Sequence, residues 1–144
     1  MKTCMNNFLF CFIVFVFINT PASGQHVNQI WGMTSGGGNR YGVIFKTDAN
    51  GSNQENVFLF GENPMSRPTY SHFCEGQDGK LYGMTRYGGS AEYGGVLFSY
   101  DPITSTWEKK VDFLGASNGS MPEGSLMLAS NGKMYGMTYS GGSN

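Results

Sequence analysis

The sequence predicts an all-β fold assembled from a tandem repeat, and three observations predict it. Gly supplies 22 of 144 residues and aromatics 15%, while there are only five Ala, seven Leu and six Glu. The best helix formers are therefore scarce, and the composition suits short strands joined by tight turns. No window shows a 3.6-residue apolar period, so no helix is expected after the N-terminal segment. Third, one set of motifs recurs at a spacing of 51 to 54 residues. The length corresponds to one domain at most. A net charge of −1 provides no electrostatic attraction for nucleic acid or an anionic membrane surface. Forty per cent apolar residues with so little net charge can bury a core, which argues against disorder.

Residues 1–24 read as an export signal. Lys2 is the only charge before the apolar run Phe8 to Ile18, which is eleven residues long. A membrane-spanning helix needs about 20 residues, so the run fits a signal-peptide core better than a span. Asn19 and Pro21 break it, and Ala22-Ser23-Gly24 puts small residues before Gln25. Cleavage is expected after Gly24; the alternative is an uncleaved N-terminal anchor. Removal takes Cys4 and Cys11 with it and leaves Cys74 alone, so the mature chain 25–144 has no internal disulfide and packing must hold it. Cys74 itself reads as buried filler rather than a reactive thiol.

The repeat is carried by five landmarks that keep their order. Trp31-Gly32-Met33-Thr34 returns as Tyr82-Gly83-Met84-Thr85 and as Tyr135-Gly136-Met137-Thr138. Each is followed by a Gly-rich stretch, Ser35 to Gly38, Tyr87 to Ser90 and Tyr139 to Ser143. Tyr41-Gly42-Val43-Ile44-Phe45 is matched by Gly94-Gly95-Val96-Leu97-Phe98, and Val57 to Phe60 by Val111 to Leu114. Asp78-Gly79-Lys80-Leu81-Tyr82 returns as Asn131-Gly132-Lys133-Met134-Tyr135.

One unit reads as four strands. Tyr70 to Cys74 is the first, with Ser125 to Ala129 its counterpart. A two-residue type I′ turn at Asp78-Gly79 or Asn131-Gly132 follows, since Asx and Gly tolerate the positive φ it demands. Lys80 to Thr85, and Lys133 to Thr138, form the second strand. Gly95 to Tyr100 is the third. Asp101-Pro102 opens a turn into the fourth, Thr106 to Phe113. Four antiparallel strands in about 50 residues is the pattern of a β-propeller blade. The expectation is a partial propeller of about two and a third blades, with repeats at roughly 29–80, 81–132 and 133–144. Gly32, Thr34, Gly79, Gly83, Thr85, Trp107, Gly132, Gly136 and Thr138 are its structural positions.

Tyr100-Asp101-Pro102 with Trp107, followed by Gly132-Lys133-Met134-Tyr135, resembles the kelch blade pattern. Leu81-Tyr82-Gly83-Met84-Thr85 followed by Gly88-Gly89 puts Gly-Met-Thr where kelch has its double Gly, and so is closer to the Gloeobacter/Verrucomicrobia (GloVer) tandem repeat. The resemblance runs over about 29–144. It implies a secreted or surface-displayed propeller, and it implies no particular activity.

Candidate chemistry is sparse. Asp48-Ala49-Asn50-Gly51-Ser52 alternates oxygen side chains as calcium loops do, but Leu59 stands where the twelfth-position glutamate belongs, so a connecting turn is expected. His72-Phe73-Cys74 offers two metal donors, too few for a zinc site. Gly36-Gly37-Gly38 and Gly88-Gly89 lack the Lys and helix of a phosphate loop. No Gly-x-Ser-x-Gly elbow occurs. No catalytic residue, metal or cofactor is therefore expected. Arg40, Tyr41, Arg86, Tyr87, Tyr93 and Tyr139 gather in or beside the loops after the second strand, where a binding face for protein or glycan would form; the alternative is aromatic packing between blades.

The reading is thus an exported, non-catalytic repeat module acting by surface contact, cut from a longer protein. The alternative is a secreted carbohydrate-active enzyme whose catalytic blades lie outside this chain; only Glu92 and Glu123 lie near suitable loops, in different phases of the repeat. Two blades and a fraction do not close a ring, so self-association of the open ends is expected.

Overall fold

A computed structural model describes residues 29–38, 40–61, 67–69, 71–91 and 93–143; the expected export signal and its expected cleavage site lie outside them. Every regular element among the described residues is a strand. The first sheet joins β1 (Gln29–Met33), β2 (Val43–Asp48) and β3 (Glu55–Leu59) in that order. The second joins β4 (Cys74–Glu75), β5 (Leu81–Thr85), β6 (Val96–Asp101) and β7 (Thr106–Asp112). Two short pairs follow. β8 (Ser120–Pro122) lies on β11 (Thr138–Ser140), and β9 (Met127–Leu128) lies on β10 (Met134–Tyr135). All pairings are antiparallel.

The repeat is visible in the register. β1 opposes β2 with Gly32 against Phe45, and β5 opposes β6 with Gly83 against Phe98. The next pairing in each sheet is bulged at the corresponding step, β3 carrying the extra Val57 opposite Ile44 and Phe45 and β7 the extra Lys110 opposite Leu97 and Phe98. A glycine is needed opposite the phenylalanine because the ring lies across the strand. A Cβ on Gly83 would come within 2.8 Å of Phe98 Cζ, and one on Gly32 within 2.5 Å of Phe45 Cζ. The threonine closes the other end, with the Val43 and Val96 amides each donating to Thr34 or Thr85 Oγ1 at 3.1 Å.

The core lies between the first two sheets. Ile44 and Phe60 from one side meet Leu81, Val96, Phe98 and Tyr100 from the other, with Trp31, Met33, Phe58, Phe73 and Trp107 around them. The aromatic rings interlock, Phe60 edge-on to Phe98 at 5.6 Å and Trp31 tilted on Tyr100 at 5.8 Å. Trp107 stacks on Phe58 at 5.6 Å and on Phe98 at 5.9 Å, tying the last strand of the second sheet to the first sheet. Such pairs add roughly 0.5–1.5 kcal/mol each beyond area burial.

Three expectations need correction. The turns are not two-residue type I′ turns. Gly76 O accepts from Gly79 N at 3.0 Å and Gly76 N donates to Lys80 O at 2.8 Å, which brackets a three-residue loop. Gly79 is left-handed at φ 74° while Asp78 is not. Asp78 instead accepts from Lys80 N at 3.2 Å, holding a type I turn that closes with a glycine bulge. Asn131 and Gly132 repeat this geometry, with φ 77° at Gly132. So does Asp48–Ser52, where Asn50 Oδ1 accepts from Ser52 N and Asp48 Oδ2 from Asn53; the calcium-like oxygens serve a connecting turn.

Second, the strand expected over Tyr70–Cys74 is only Cys74–Glu75, and Tyr70 lies outside the described residues. Third, Lys133–Thr138 is not one strand but β10 and β11, split at Gly136-Met137. Its counterpart β5 is hydrogen-bonded on both sides, whereas among the described residues β10 and β11 each pair with one strand.

Candidate functional site

The surface of greatest chemical interest is an open cleft of about 420 Å³ between the loop after β1 and the loop after β5. Ser35, Gly36, Arg67, Thr69, Arg86 and Tyr87 line it. The lining comes from three separate segments. After each Gly-Met-Thr the chain leaves its strand, and the segment 67–69 then crosses to pair with the second loop. Arg86 N donates to Arg67 O at 3.0 Å and Arg67 N to Tyr87 O at 3.4 Å. This bridge brings together side chains nearly twenty positions apart.

The charges are held asymmetrically. Arg86 Nη2 meets Glu123 Oε1 at 3.1 Å, with both side chains partly exposed, and the guanidinium lies 5.2 Å over the Tyr87 ring. A partly exposed pair of this kind contributes about 1 kcal/mol or less; what it does is orient the fork. Arg86 Nε is buried and has no partner among the described residues. Arg67 is exposed, its Nη2 reaching the Arg40 carbonyl at 3.5 Å, and among the described residues it pairs with no carboxylate.

The six residues picked out from the sequence separate. Arg86 and Tyr87 line the cleft, whereas Arg40 does not and only its backbone carbonyl accepts from Arg67. Tyr93 stands edge-on to Tyr87 at 6.3 Å and lines a neighbouring hollow of about 250 Å³ with Ala91, Gly94, Leu114, Gly115 and Ser120. Tyr41 packs against the core instead, and Tyr139 is exposed on β11, opposite β8, lining neither hollow. Of the two carboxylates near these loops, Glu123 is taken by Arg86, and Glu92 lies outside the described residues. His72 is engaged by Ser125, its amide donating to Oγ at 2.9 Å and Nδ1 lying 3.1 Å from the same oxygen.

Sequence reasoning missed Arg67, Thr69, Ser35 and Gly36. A signal was present: Ser66-Arg67-Pro68 recurs as Ser120-Met121-Pro122, 54 residues later. Pro68 and Pro122 are both buried, and each segment pairs with the loop after a Gly-Met-Thr.

A repeat-by-repeat recurrence of glycine, bulge, threonine and Ser-x-Pro is a family's signature, and comparison identifies that family. The Gloeobacter/Verrucomicrobia repeat matches residues 19–144. The chain belongs to the Gloeobacter/Verrucomicrobia repeat family. No curated protein and no solved structure matches it.

Proposed function

We propose that this Gloeobacter/Verrucomicrobia repeat chain is an exported, non-catalytic binding module whose units are kelch-like propeller blades. Consecutive antiparallel meanders that face one another across an aromatic core support the blade reading. The apolar run before Gln25 supports export. The observation that carries the binding role is the Arg67–Arg86–Tyr87 cleft. It joins an exposed guanidinium, a guanidinium fixed over an aromatic face, and hydroxyl groups at Ser35 and Thr69. A guanidinium receives a carboxylate through two parallel hydrogen bonds, while a Tyr face and hydroxyls suit a sugar ring. The ligand class is an acidic saccharide displayed on a surface.

Titration with uronic-acid oligosaccharides, followed by amide chemical shifts, tests the role. Shifts should gather at residues 35–36, 67–69 and 86–87. Arg67→Ala should weaken binding roughly 10- to 100-fold, as removal of a charged hydrogen bond does. Unchanged affinity in that variant, or shifts gathered elsewhere, removes the proposal.

A further inference from the structure

The cleft stands where two units meet, and the plan of that junction recurs. Ser66-Arg67-Pro68-Thr69 is followed 54 residues later by Ser120-Met121-Pro122-Glu123, so Thr69 and Glu123 hold one place in it. Thr34-Ser35-Gly36 is followed 51 residues later by Thr85-Arg86-Tyr87, so Ser35 and Arg86 hold another. At the first junction both places carry hydroxyls, and Ser35 and Thr69 line the cleft. At the second they carry a cation and an anion, and the two meet, Arg86 Nη2 to Glu123 Oε1 at 3.1 Å.

Arg86 therefore belongs to both junctions. It lines the first cleft beside Arg67 and Tyr87, while a carboxylate of the following unit occupies one of its donors. Both partners are carried on fixed backbone. Arg86 N donates to Arg67 O at 3.0 Å, and the guanidinium lies over the Tyr87 ring. Beside Glu123, Pro122 is buried and pairs with Thr138, and Met121 N donates to Gly94 O at 2.8 Å. A partly exposed ion pair adds little to stability. It still cancels a charge, and it holds a donor that a ligand would otherwise receive.

We infer that Glu123 sets how much negative charge the cleft accepts. The inference rests on the acidic-saccharide reading of the cleft and adds to it the number of charges on the sugar. With Arg86 neutralised, the charge offered by the lining is that of Arg67, which suits a residue bearing one carboxylate. A residue that also bears a sulfate finds Arg86 Nη2 taken and a carboxylate beside it. Glu123 touches no ligand in this account; it acts through Arg86, as a positioning residue that decides specificity.

Calorimetric titration of the full chain with an unsulfated uronic-acid disaccharide and with its monosulfated form tests this. The parent should bind the two about equally. Glu123→Gln, and Glu123→Thr, which copies Thr69, should each bind the sulfated form roughly 10-fold tighter or more, as a charged hydrogen bond gained does, and the unsulfated form less than about threefold tighter. Glu123→Asp keeps the charge and should keep the parent's ratio. Glu55→Gln removes a carboxylate that pairs with Lys46 in the first sheet, and it should keep the ratio too. An unchanged ratio in both Glu123→Gln and Glu123→Thr, or an equal rise in Glu55→Gln, overturns the inference. Inorganic sulfate separates it from the saccharide reading. Glu123→Gln should bind sulfate about tenfold tighter than the parent, with amide shifts at residues 86–87. If that gain appears while neither disaccharide binds, the saccharide reading falls and the role of Glu123 stands. If both disaccharides bind and their ratio does not move, the saccharide reading stands and the role of Glu123 falls. Neither gain nor disaccharide binding removes both.

Discussion

Replacing Gly83 with alanine isolates the packing role of the repeat's glycine. Gly83 is buried at the centre of the second sheet, and its φ is not in the left-handed region, so alanine meets no backbone strain. The added methyl would stand 2.8 Å from Phe98 Cζ and 3.2 Å from both Phe98 Cε1 and Met33 Cε. Carbon atoms in contact prefer about 3.5–4.0 Å, so the ring must retreat by most of an ångström. It has nowhere to go: Phe60 stands edge-on at 5.6 Å, Phe73 edge-on at 6.3 Å, and Trp107 is stacked at 5.9 Å. Overpacking of this kind costs about 1–3 kcal/mol. Loss of glycine's freedom in the unfolded chain offsets about 0.4–1 kcal/mol of that. The net expectation is a loss of about 1–2 kcal/mol, read as a lower midpoint in urea unfolding at low protein concentration. Gly61→Ala is the control, exposed with nothing within 4 Å, and should be neutral or slightly stabilising. Gly32→Ala should cost less than Gly83→Ala although its methyl would approach Phe45 more closely, because the half-buried Phe45 ring can swing away. Equal stability of Gly83→Ala and the parent would refute the reasoning.

Other outcomes follow from the same geometry. At Gly79 an added Cβ meets nothing within 4 Å, so the cost of Gly79→Val is set by strain at φ 74°; a loss of about 1–3 kcal/mol is expected in the same unfolding assay. Asp112 is held below its ordinary pKa of 3.8 by the hydrogen bond from Lys109, against desolvation, with Ser90 also donating. A depressed carboxylate binds fewer protons folded than unfolded, so its contribution is complete above about pH 5 and is lost as the pH falls through the native pKa. Asp112→Asn should therefore flatten the acid limb of the stability curve; Asp101, shifted the same way by the Thr104 and Ile103 amides, keeps some slope. A limb as steep as the parent's would show that the carboxylate contributes nothing. Expression in a secreting bacterial host should give a product beginning at Gln25, and N-terminal sequencing that returns Met1 on a membrane-bound product would contradict the cleaved signal.

What the sequence determined by itself was everything set by short-range backbone chemistry or by recurrence. The 51- to 54-residue spacing announced sheets built on one plan, and both paired Gly-Met-Thr strands, β1 and β5, sit where the motif lies. The Asx-Gly pairs announced turns with a left-handed glycine, because only local sterics decide φ there. The turn type escaped, since whether Asp78 also turns left depends on where its carboxylate finds a donor, and it found Lys80 N. The candidate site was half legible. Arg86 and Tyr87 follow the motif directly, but Arg67 enters only through a backbone bridge formed between distant segments. Tyr41 went into the core because a hydrophobic cluster was within its reach, while Tyr139 met none and stayed in solvent. Met84 and Met137 make the division plainest. They occupy the same place in the same motif, yet Met84 lies within β5 and is buried while Met137 falls between β10 and β11 and is exposed, because burial is a property of neighbours that no local pattern encodes.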